Sequence, residues 1–100
     1  MELDRLDELH RRTDEVLHYI WDPIGVSGVP LARDEYSGYV PRLVGLLMTG
    51  ATENVLTDFL SEIKTVRMGL PSNREKDAAM AEILLDWKET LESKKPRILG

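Results

Sequence analysis

The sequence predicts an all-α fold, a compact multihelical (four-helix) bundle, on three observations. Apolar residues recur at spacings of three and four along four stretches, glycine or proline follows each stretch, and nowhere do apolar and polar residues alternate as in a half-buried strand. One hundred residues are expected to form a single helical domain, 1–100, with one modest core. Two qualifications belong to the prediction: an ordered Pro/Gly loop between helices 1 and 2, and a kinked helix 2.

The first stripe is Leu3, Leu6, Leu9, Thr13, Val16, Leu17, Ile20 and Trp21, so helix 1 is expected over about 3–21. Asp4, Asp7 and Glu8 in its first turns suit the positive pole of the helix dipole. Pro23 pushes Asp22 out of the α region, and the helix must end there.

The stretch that follows interleaves breakers and apolar residues: Trp21-Asp22-Pro23-Ile24-Gly25-Val26-Ser27-Gly28-Val29-Pro30. Prolines remove donors and glycines allow positive φ, so no helix runs through it. Trp21, Ile24, Val26 and Val29 are too apolar for a solvated linker, which predicts a loop that packs its side chains back on the core. Asp22 is expected to accept backbone hydrogen bonds in an Asx-type turn.

A second helical segment is expected over about 31–48, with Tyr36, Tyr39, Val40, Leu43, Val44, Leu46 and Leu47 on its apolar side and Gly50 at its C-terminal cap. Pro41 inside it, with Gly38 nearby, predicts a kink or break near 38–41. Thr52 is a good N-cap for helix 3, whose stripe Val55, Leu56, Phe59, Leu60, Ile63 and Val66 runs to about Met68 before Gly69 and Pro71. Ser72-Asn73-Arg74-Glu75 has the form of a capping box and opens helix 4. Ala79, Met80, Ile83, Leu84, Trp87 and Leu91 form its stripe, and Pro96 stops it.

Charge is unevenly placed. The net charge is −5, and residues 1–35 alone hold nine carboxylates against four arginines, while the remainder is balanced. The one basic cluster is Lys94, Lys95 and Arg97. A general phosphate-neutralising surface is therefore disfavoured, and a nucleic-acid partner is not expected. No apolar run approaches the roughly 18 residues of a membrane helix. With no basic leader and no cysteine, a cytoplasmic location is expected.

His10, Asp14 and His18 stand four residues apart on helix 1 and are the right types for zinc. A structural site wants four ligands, and no further His or Cys exists, so they are expected to be partly exposed surface residues. The neighbouring pairs Asp14, Glu15 and Asp34, Glu35 point in different directions on a helix and form no acid-base site. No phosphate loop, nucleophile elbow or His-Glu-x-x-His is present. No cofactor and no enzymatic activity are expected.

Leu17-His18-Tyr19-Ile20-Trp21-Asp22-Pro23-Ile24-Gly25, a helix running into Trp-Asp-Pro-x-Gly, resembles small uncharacterised bacterial proteins related to the Bacillus YugE-like domain of unknown function. The resemblance covers about the first half of the chain. It implies a multihelical fold and no assigned activity.

These readings lead to a non-enzymatic module that binds another protein, a basic one where the acidic part, residues 1–35, is engaged. The expected contact residues are Asp22, Asp34, Glu35, Tyr36 and Tyr39, since tyrosines are enriched at interfaces. An immunity-type inhibitor of a basic protein toxin is one alternative. An enzyme using Asp22 in a cleft is another.

Overall fold

Each of the four apolar stripes is a helix in a computed structural model, which describes residues 2–25 and 27–93. Helix α1 is Leu3–Glu15 and passes without a break into a wider π-type turn, Val16–Trp21. Helix α2 is Val40–Met48, α3 is Glu53–Glu62 with its own π-type turn over Ile63–Arg67, and α4 is Arg74–Glu92. The fold is 75% helical, and no strand occurs among the described residues. Val26, Pro96 and the basic cluster Lys94, Lys95 and Arg97 lie outside the described residues.

Helix α4 is the longest and packs against both α1 and α3. It runs antiparallel to α1: the Arg5 guanidinium donates to the Leu91 and Ser93 carbonyls at one end, and the Trp21 indole reaches Asp77 at the other. Between them lie Leu9, Leu17 and Trp21 of the first helix, Leu43 and Leu47 of α2, Leu56 and Leu60 of α3, and Ala81 and Leu84 of α4, all fully buried. Burying an aliphatic side chain of this size contributes about 1.5–3 kcal/mol, which is how a chain this short holds together.

Both π-type turns correct the predicted stripes. Asp22 N–H donates to the Leu17 carbonyl at 2.9 Å, and Met68 N–H to that of Ile63 at 3.1 Å, each five residues back rather than four. A wider turn rotates its residues relative to a 3.6-residue stripe. Val16, Leu17, His18 and Trp21 consequently point inward while Tyr19 and Ile20 point out; likewise Ile63 and Lys64 are buried and Val66 is exposed. Leu3, on the first turn of α1, is exposed as well.

Helix 2 breaks within 38–41, where Gly38 and Pro41 predict a kink or break, so the regular helix occupies only the later part of 31–48. The chain makes a 3-10 turn at Pro30–Ala32, a second at Ser37–Tyr39, and only then α2, with a 21° bend along helix 2. Pro41 sits in the first turn of α2, where its missing N–H has no intrahelical acceptor to lose. The helix closes with Gly50 at φ 84, its N–H donating to Leu47 and that of Ala51 to Leu46, the paired bonds of a Schellman cap. Thr52 caps α3 through the Val55 N–H, as predicted. The cap of α4 falls one residue later than expected: Asn73, not Ser72, accepts from the Lys76 N–H.

Candidate functional site

The crossing between α1 and α2, residues 22–39, is built around one carboxylate. Asp22 is the only described non-glycine residue with positive φ (31°), a left-handed conformation that short polar side chains tolerate best. That twist ends the helix and turns the side chain back over the loop. Its Oδ1 accepts from the Gly25 N–H at 3.1 Å and the Tyr36 hydroxyl at 2.7 Å, and Oδ2 accepts from the Ser27 N–H at 3.0 Å. Asp22 thus accepts backbone hydrogen bonds as expected, but from three and five residues on rather than in an Asx turn, and the Ile24 N–H two residues on is taken by Tyr36 instead.

Tyr36 is buried, packed edge-on to Trp21 with ring centroids 5.6 Å apart. Its hydroxyl also accepts from the Ile24 N–H at 3.0 Å. Burial first, and then the hydrogen bond to the Asp22 carboxylate, push its phenol up to about 12. A neutral phenol is the form this site holds.

Directly behind the crossing lies a second buried cluster. The Trp21 indole N–H donates to Asp77 Oδ1 at 2.9 Å, and the Lys64 ammonium reaches the same oxygen at 3.2 Å. Asp77 is fully buried in the first turn of α4, and Lys64 is delivered from the π-type turn after α3. The crossing is thus anchored to three helices through one indole.

A further tie holds the loop to α1. Arg33 pairs with Asp14 at 3.0 Å and lies over the Tyr19 ring at 5.2 Å. His18 is buried with its ring edge-to-face on Tyr19, which corrects the expectation that it sits on the surface beside His10 and Asp14. Among the described residues no three His, Asp or Glu side chains are grouped so as to hold a metal ion.

The five predicted contact residues separate. Asp34 and Glu35 are exposed. Asp22 is half-buried and engaged by the loop, and Tyr36 is buried, so Tyr36 is an internal post rather than a surface contact. Tyr39 faces elsewhere, into a cleft that it lines with Arg42, Phe59 and Arg67. What the sequence reading missed is the apolar exposure: Leu31 is 96% accessible, and Tyr19, Ile20, Ile24 and Val29 are between 45 and 58%. Ile24 and Val29 were expected to pack on the core. The aromatic residues buried here are Trp21 and Tyr36 instead, packed edge-on against each other. Only the π-type turn accounts for Tyr19 and Ile20, and nothing in the residue spacing announces it.

No protein-family model, curated protein or solved structure matches this chain. No helix among the described residues is long and apolar enough to cross a membrane.

Proposed function

We propose that this chain is a non-enzymatic protein-binding module that presents the crossing between α1 and α2 to its partner. The observation that carries the reading is the exposure of Tyr19, Ile20, Ile24, Val29 and Leu31 on a segment whose backbone is pinned from beneath. Apolar side chains held on a fixed backbone lose little freedom on association, so more of their burial is retained as affinity. Exposed Asp34 and Glu35 continue the same segment and supply a charged rim. An acidic rim favours a basic partner, and an immunity-type inhibitor of a basic toxin is the specific form of that reading.

The enzymatic alternative has less support. Both oxygens of Asp22 accept hydrogen bonds from the loop, which leaves this carboxylate a structural task. Kinship with the YugE-like domain belongs to the same proposal, since the Trp21-Asp22-Pro23-Ile24-Gly25 stretch that carries it anchors the crossing.

Affinity capture from the native host with the unaltered chain, and with Ile24→Asp and Leu31→Asp, tests the reading. Both side chains are exposed, so the variants are expected to fold. A partner retained by the unaltered chain and lost by both variants supports the proposal. A partner held equally by all three would overturn it.

A further inference from the structure

Five of the seven described arginines are held by carboxylates or carbonyls. Arg5 donates to the carbonyls at the end of α4; Arg11 pairs with Glu8, Arg12 with Glu8 and Glu15, Arg33 with Asp14, and Arg74 with Asp58. Among the described residues only Arg42 and Arg67 have neither a carboxylate nor a carbonyl partner. These two line the same place. Adjoining hollows of about 160 and 280 Å³ between α2 and α3 share Arg42, Phe59 and Arg67 as walls. Leu46 and Ile63 complete an apolar floor in the first, and Tyr39 borders the second with a hydroxyl that makes no hydrogen bond among the described residues.

We infer that this cleft binds a small organic carboxylate, an anionic head carried on an aromatic or aliphatic body. Guanidinium forks match a carboxylate in two-point geometry and are strongest where an apolar wall excludes water. Phe59 and Leu46 offer that wall, both half-buried and not closed over by other residues. Their combined space falls at the small end of ligand sites, about 300–1,000 Å³, which suits a compact molecule. Glu62 also lines the first hollow and forms no ion pair among the described residues. With two arginines and one glutamate, the lining has a single net positive charge, so a monoanion is matched better than a phosphate dianion. This site touches the crossing only at its last residues, Gly38 and Tyr39, shares none of the exposed apolar side chains from Tyr19 to Leu31, and does not depend on how those are used.

Benzoate titrated into the full isotope-labelled chain, followed by the arginine Nε–H and backbone resonances, tests the assignment. Saturable shifts at Arg42, Arg67 and Phe59 are expected, with a dissociation constant on the order of millimolar for so small a probe. Arg42→Gln and Arg67→Gln should each weaken binding about tenfold, the worth of one charge-assisted hydrogen bond. Arg74→Gln, which removes an arginine already paired with Asp58, should leave it unchanged. Acetate lacks the body and benzyl alcohol lacks the charge, so both should bind more weakly than benzoate. Both cleft arginines are exposed, and a thermal melt confirms that the variants are folded. Absence of saturable shifts, equal binding of acetate or benzyl alcohol, or unchanged binding in the Arg42→Gln, Arg67→Gln double variant would each overturn the inference. Tighter binding of phenyl phosphate than of benzoate would overturn the choice of a carboxylate.

Discussion

The indole N–H of Trp21 and the carboxylate of Asp77, 56 residues apart, meet at 2.9 Å in the fully buried interior. Two helices widen into π-type turns at this point, one ending in Trp21 and the other containing Lys64, and both deliver a donor to the same oxygen of Asp77. Replacing Trp21 by Phe keeps most of the ring volume and deletes the donor, so a loss of about 1–3 kcal/mol is expected from the weakened satisfaction of Asp77. Replacing it by Ala adds a cavity and should cost roughly 3–5 kcal/mol. Urea unfolding measures both. Equal losses for Phe and Ala would show that the hydrogen bond, not the packing, dominates.

The ion pair behind it behaves differently from its parts. Lys64→Met leaves the Asp77 charge buried with only the indole as donor, and a destabilisation of about 3–5 kcal/mol is expected. Lys64→Met combined with Asp77→Asn removes both charges while keeping an amide oxygen to accept from the Trp21 indole, and should restore much of the loss, because a buried pair gains little net free energy over a neutral replacement. A double variant as unstable as the single, by the same urea measurement, would show that the pair supplies net stability.

Tyr36 sets an alkaline limit. Its phenol is pushed from the ordinary value of roughly 10 up to about 12, so the fold favours the protonated form. The corresponding stability is fully present below pH 10 and is lost as pH rises through the folded value near 12. Ultraviolet difference titration should show one of the three tyrosines ionising last, and that transition should vanish in Tyr36→Phe. The variant's stability should also fall less steeply above pH 10 than that of the unaltered chain. Three tyrosines ionising together would contradict the buried hydroxyl.

How much of this was legible from residues alone depends on the element. Caps and breakers act locally, so Gly50, Thr52 and Gly69 could be placed before any contact was known. The carboxylate turn at Asp22 was likewise readable, since it follows from an aspartate before a proline. What could not be read is anything that needs a partner distant in sequence: Tyr36 as a post for Asp22, and Asp77 as the meeting point of Trp21 and Lys64. A periodic stripe also cannot reveal a π-type turn, which is why Ile20 and Val66 were counted inside and His18 outside.

Trp87 shows the same limit, because stripe position does not fix depth. It is only half-buried, with the Arg12 guanidinium over its ring at 4.8 Å. Trp87→Ala should therefore cost less than Trp21→Ala, about 1–3 kcal/mol. A cost matching that of Trp21 in urea unfolding would place the indole in the core.

The acidic rim of the crossing gives a kinetic expectation for the binding reading. Asp34 and Glu35 are exposed and form no ion pair among the described residues, so reversing both to Lys should shift the unfolding midpoint little. If the partner is basic, the same reversal should slow association strongly at low ionic strength, because exposed charges act mainly on the encounter rate. Added salt should narrow the difference, since the Debye length falls from about 30 Å at 0.01 M to about 8 Å at 0.15 M. Glu82 and Glu89, exposed on α4 and away from the crossing in sequence, are the control pair for reversal. Surface plasmon resonance with the captured partner at two salt concentrations gives the rates. Identical association rates for both double variants and the unaltered chain would remove any role for the rim in steering, and the apolar side chains from Tyr19 to Leu31 would then have to account for recognition alone.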